Sequence, residues 1–179
     1  MSLESTIAAR SDGMYELRLE GSIYLPHWIV ELFAALSQQQ VSIVSGQATQ
    51  VTTGEWKSCF VLDFSHSSAD PRRLNYVAFT EQTLNLGGKA GTPRLTRYEL
   101  SRRPDKLIEI KLEGPDQVGF LAGMLSRVSL LALFPSFLEI DTLGGQIKDV
   151  IVLRGISDKG PGESAYLHLE RMLKGFLIK

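Results

Sequence analysis

Tyr15-Glu16-Leu17-Arg18-Leu19-Glu20-Gly21 near the start of the chain returns past its middle as Ile108-Glu109-Ile110-Lys111-Leu112-Glu113-Gly114. Placing Gly21 over Gly114 sets an offset of 114 − 21 = 93, and the match runs without gaps from about Ile7/Leu100 to Leu32/Leu125. Arg10/Arg103, Asp12/Asp105, Glu16/Glu109, Leu19/Leu112, Glu20/Glu113 and Leu32/Leu125 are identical pairs. Agreement in chemistry counts for more than identity. In both stretches apolar and charged residues alternate strictly, the pattern of a strand with one dry and one wet face. Helices are then expected on the dry face alone.

Working outward, each strand is preceded by a turn signal, Ser11-Asp12-Gly13 or Pro104-Asp105. A further strand stands before each turn, Thr6 to Arg10 and Thr96 to Arg103, so each copy is expected to begin with a hairpin. After the glycine, Leu25, Trp28, Leu32 and Leu36 in the first copy, and Val118, Leu121, Leu125 and Val128 in the second, form the stripe of an amphipathic helix. Two strands follow in each copy: Val41 to Thr52 and Trp56 to Phe64, then Phe137 to Thr142 and Ile147 to Leu153. The second of each pair aligns with an offset of 147 − 56 = 91, which places a two-residue deletion between elements, where loops absorb it. A closing helix is expected from Pro71 to about Leu84, capped by Asp70, and another from Glu163 to about Lys174. Gly87 to Pro93 reads as the linker.

The expected fold class is therefore α+β: two ferredoxin-like sandwiches, residues 1–90 and 94–179, each an antiparallel sheet with helices on one face. The leading strand of each takes the edge place usually given to the last.

Glu113-Gly114-Pro115-Asp116-Gln117-Val118-Gly119-Phe120-Leu121-Ala122-Gly123-Met124-Leu125 resembles the strand-to-helix signature of ACT domains. These are small modules that bind amino acids or related metabolites and regulate enzymes or transcription. The second copy resembles that fold throughout, and the first through the repeat. The resemblance implies that Asp116 and Gly119 lie at a ligand site, often between two modules. Elementary chemistry is compatible: Asp116 is placed to cap the helix, Gly119 opens its first turn, and a ligand carboxylate would meet free N–H groups there. The same two residues also suit a plain cap and a packing glycine. In the first copy their counterparts are Ile23 and Pro26, so the expected site is confined to the second copy.

No catalytic constellation and no metal site are read from the sequence. His27, His66 and His168 have no zinc-like spacing, Gly87-Gly88-Lys89 lacks a phosphate-loop pattern, and Asp63 to Asp70 reads as a self-satisfied loop. Cys59, the single cysteine, is expected to be a packed thiol, and Trp28 and Trp56 to be core or interface anchors. Nineteen Lys and Arg against twenty Asp and Glu leave no long-range field for nucleic acid or an anionic membrane. Charged wet faces at Glu16, Arg18, Glu109 and Lys111 offer no stacking platform for RNA. With no apolar run near the roughly 20 residues of a membrane span, no signal sequence and one cysteine, a cytoplasmic protein is expected. The expected role is a non-catalytic regulator that senses an amino acid without a cofactor, its expected partners being a second copy of itself and a protein target. A pure interaction or dimerisation module is the alternative.

Overall fold

Turn chemistry opens each half of the computed structural model, which describes residues 2–81, 91–157 and 159–179. Strands β1 (Glu4–Ala9) and β2 (Tyr15–Ser22) are joined by a turn in which the Asp12 carboxylate accepts from the Met14 amide at 3.1 Å and Gly13 takes φ +82°. In β5 (Arg97–Arg102) and β6 (Ile108–Pro115) Asp105 does the same for Leu107 at 3.2 Å. Lys106 occupies the left-handed position there, at φ +67°. An arginine lies over each turn, Arg10 on Asp12 and Arg103 on Asp105.

The glycines that end β2 and β6 have one shared reason. A Cβ on Gly114 would stand 2.5 Å from the Arg94 carbonyl, and one on Gly21 would collide with that of Ser2. In both places the chain entering the hairpin crosses too close for a side chain.

The remaining strands are β3 (Ser42–Thr52), β4 (Glu55–Asp63), β7 (Phe134–Leu143) and β8 (Gln146–Arg154). All eight form one antiparallel sheet in the order β1-β2-β4-β3-β7-β8-β6-β5. The hairpins β1/β2 and β5/β6 thus lie at the outer edges, and the register repeats with the sequence: Leu17 faces Phe60 and Ile110 faces Ile151. At the centre Gln47 pairs with Glu139. Gln47 also faces Cys59, and Glu139 faces Val150, the counterpart of Cys59 under the offset of 91. An approximate two-fold axis therefore passes between Gln47 and Glu139.

Helices α1 (Trp28–Gln38), α2 (Tyr76–Thr80), α3 (Phe120–Ser129) and α4 (Glu163–Phe176) complete the elements of the described residues. α1 packs against both α2 and α3. The dry face expected of β2 and β6 is observed: Leu17, Leu19, Ile108, Ile110 and Leu112 are buried, while Arg18 and Lys111 are exposed. These residues join Leu32, Leu36, Met124, Leu125, Leu169 and Leu173 in a hydrophobic cluster that runs across both halves. Burial of each such side chain stabilises by about 1.5–3 kcal/mol. Trp28 meets Trp56 edge to face, centroids 5.1 Å apart, and Phe33 meets Phe60 in the same way at 5.3 Å.

Two local expectations need correction. Asp70 does not start a helix at Pro71; its Oδ1 accepts from the Arg72 amide at 3.0 Å in a turn, and α2 begins only after Asn75, whose side chain accepts from the Ala78 amide at 3.0 Å. Asn75 is the stronger cap because it meets a helical amide three residues on. Residues 82–84 of that expected helix and residues 87–90 of the expected linker lie outside the described residues. Cys59, expected inside an apolar strand environment, is half-buried on the wet side of β4 opposite Arg18, and burial pushes its thiol upward, away from thiolate.

Candidate functional site

β6 ends at Pro115 and α3 begins at Phe120, leaving Asp116, Gln117, Val118 and Gly119 to turn the chain from sheet to helix. The Asp116 amide donates to the Gly145 carbonyl at 2.9 Å, and in the first half the Ile23 amide donates to Gly54 at 2.7 Å. The two loops therefore leave the sheet in the same way.

Asp116 was expected to cap α3, and it does not. The N-cap is Gly119, at φ +81°, and no side chain caps the helix. A left-handed residue directly before Phe120 sets the N-cap three positions beyond Asp116. The carboxylate instead stands exposed at a rim, its nearest favourable contact the Gln117 amide, and partial desolvation raises its carboxyl above the ordinary range. Gly119 does open space, though toward the other half: a Cβ there would stand 2.7 Å from Ser37 Oγ on α1.

Asp116 and Gly119 both line one shallow recess of about 30 Å³, open to solvent. Phe33 and Ser37 of α1 and Val41, Ser42 and Ile43 around the start of β3 supply one wall. The loop with the first turn of α3 supplies the opposite wall, and Ile140, Thr142, Ile147 and Asp149 of β7 and β8 the floor. The recess thus lies where the two halves meet. The Leu121 and Ala122 amides, in the first turn of α3, have no acceptor within the helix, so this wall carries the positive end of the helix dipole.

Asp149 is the functional candidate that sequence reasoning missed. It occupies the dry face of β8, in phase with Ile147 and Ile151, and is 1% exposed. Its Oδ1 accepts a long bond from the Asp141 amide, 3.3 Å, and its Oδ2 has no hydrogen-bond partner among the described residues. Desolvation pushes its carboxyl up to about 7; the Asp141 amide opposes the rise, and the carboxylates of Asp116 and Asp141 add to it. The signal was present in the sequence as a charged residue in the apolar phase of Ile147-x-Asp149-x-Ile151-x-Leu153.

In the first half the corresponding positions carry different side chains. Leu121 and Ile147 correspond to Trp28 and Trp56, whose indoles are buried against each other. Asp149 corresponds to Ser58, which donates to the Leu19 carbonyl at 3.2 Å. Asp116 corresponds to Ile23, which is buried. At these four positions the first half thus has two bulkier aromatics in place of aliphatics, an internally satisfied hydroxyl and a buried apolar side chain in place of carboxylates.

The other polar groups singled out from sequence stand apart. His27 precedes α1 without a side-chain cap bond, and His168 on α4 turns its Nδ1 to the Ser164 carbonyl at 2.7 Å. In the loop after β4, Asp63 accepts from the Ser65 amide at 2.8 Å and Ser67 from the Ala69 amide at 3.1 Å. No cluster of three or more His, Cys, Asp or Glu residues suited to a metal ion occurs among the described residues. Nor is any helix among them long and apolar enough to cross a membrane.

Fold and site together define an α+β protein whose described residues form an eight-stranded antiparallel sheet, four helices and an acid-floored recess at a helix start. No family model matches the chain, and no curated protein is similar to it.

Proposed function

We propose that this protein is a non-catalytic cytoplasmic regulator that senses a small ligand, an amino acid or close relative, in the recess beside Asp116 and Gly119. On this reading residues 1–90 and 94–179 are two ACT-type ferredoxin-like units, the first having lost its ligand loop. The observation that carries the reading is that one solvent-open recess at the start of α3 takes in both residues the sequence pointed to, with walls from both halves of the chain. Its lining is mostly apolar with a few convergent polar groups, it opens to solvent, and a helix start is available for a carboxylate. Ligand bound between α1 and α3 would favour one spacing of the two helices, and that preference would be passed to a second copy or a protein target by linkage.

The test is thermal unfolding of the full chain with each of the twenty free L-amino acids at millimolar concentration, followed by calorimetry on any that act. A ligand present at a hundred times its Kd and bound only to the folded state stabilises by about 2.7 kcal/mol. For a chain of this length that corresponds to a rise in Tm of roughly 5–10 °C. Absence of a shift with all twenty, with calorimetry in agreement, refutes amino-acid sensing.

A further inference from the structure

We infer that Asp149 is the specificity-determining residue of the recess, reading an ammonium group on the bound molecule, so that the ligand is an amine with a compact apolar body. The inference rests on the proposal that the recess is a ligand site, and adds which end of the ligand is recognised and by which residue.

Three observations converge. A carboxyl group 1% exposed, with one oxygen unpartnered, forms part of the recess floor. Leaving a buried acceptor unpaired is costly, and a donor from a ligand would remove that cost. Among the described residues the recess lining contains a second carboxylate, Asp116, and no Lys, Arg or His, so none of them neutralises Asp149. An anion facing that floor would be repelled; a cation would be held by a charge-assisted hydrogen bond. The remaining lining includes Phe33, Val41, Ile43, Leu121, Ile140 and Ile147, which fits an organic ammonium better than a metal ion seeking six or more oxygens. The first-turn amides of α3 lie on the same recess, so a zwitterion finds a positive end and a negative end already in place.

The charge state of Asp149 makes binding depend on pH. The titratable groups whose fields reach it are Asp116, from the loop above, and Asp141, from the neighbouring strand β7; Leu112 faces it from β6. With the carboxyl at about 7, the ionised fraction grows about tenfold from pH 6 to pH 8, and affinity for an ammonium rises with it.

The experiment uses the full chain, the twenty L-amino acids and, for the tightest of them, its 2-oxo acid and its decarboxylated amine, with magnesium and calcium chloride alongside. The expected result is a 2-oxo acid at least a hundredfold weaker than the amino acid, affinity rising about tenfold from pH 6 to pH 8, and loss of binding in Asp149→Asn but not in Ser58→Ala. Carbon-13 detected titration of Asp149 in the wild-type protein should show its carboxyl drop below 7 when ligand is bound, which a purely structural acid would not do. Equal affinity for the 2-oxo acid, or undiminished binding by Asp149→Asn, overturns the inference while leaving a ligand site in place. An amine that binds as tightly as its amino acid and needs Asp149 upholds the inference and overturns amino-acid sensing. Binding of the metal salts but of no amine overturns the role given to Asp149, and binding of no probe overturns both proposals.

Discussion

Replacing Asp149 by Asn should make the ligand-free protein more stable, by an amount that grows with pH. Unfolded, the carboxyl ionises near 3.8; folded, it holds its proton up to about 7. A raised folded value means that stability is fully present below the unfolded value and is lost as pH rises through the folded one. The interval of about three pH units corresponds to about 4 kcal/mol, lost progressively between roughly pH 4 and pH 8. Asn nearly preserves shape and cannot ionise, so the stability difference between variant and wild type should widen by about 4 kcal/mol across that range. Asp12 and Asp105, held low by their arginines, give stability that is lost as pH falls, the opposite slope. That contribution is common to both proteins and cancels in the difference. Urea unfolding of both proteins at pH 4, 6, 7 and 8 measures it. A difference constant to within about 1 kcal/mol would mean that Asp149 is already ionised or well partnered in the native state, and would remove the physical basis for treating it as a recognition group.

Gly119→Ala should destabilise by about 1–2 kcal/mol, since alanine at φ +81° is strained and its Cβ presses on Ser37 Oγ. Chemical denaturation checks this, and adding Ser37→Gly should recover the steric part but not the backbone part. Lys106→Gly should stabilise by about 0.5–1 kcal/mol by relieving a left-handed lysine, as Gly13 does at the matching turn, and the reciprocal Gly13→Lys should cost a similar amount. A K106G variant less stable than wild type would show that the lysine side chain itself contributes to the turn.

What the sequence disclosed was whatever short-range chemistry decides. Alternation through Tyr15 to Glu20 and Ile108 to Glu113 gave the dry faces, and Asp12 and Asp105 gave the hairpin turns, because these features depend on neighbours a few residues away. The pairing of β3 with β7 was not legible. Ser45 to Thr49 carries no mark naming Phe137 to Asp141 as its partner, and strand edges expose the same N–H and C=O groups whatever lies beside them. The start of α2 was misread because two residues able to cap, Asp70 and Asn75, compete within one turn of each other. Asp116 and Gly119 both line the recess, but the capping role was misassigned, since only the left-handed backbone at Gly119 fixes where α3 begins. Asp149 was overlooked because each residue of β8 matches its counterpart in β4 well enough to hide a carboxylate standing where the first half has a hydroxyl.

The seam at Gln47 and Glu139 carries a mechanical consequence. Five consecutive residue pairs, Ser45 with Asp141 through Thr49 with Phe137, fasten the two halves along their strands, so a hinge between them would have to tear a ladder apart. Helices α1 and α3 rest on that rigid floor through packed side chains, which slide far more cheaply. A molecule wedged beside Ser37 and Gly119 would therefore work as a shim between α1 and α3, tilting rods on a fixed plate, and whatever reads its presence has to touch the helical side.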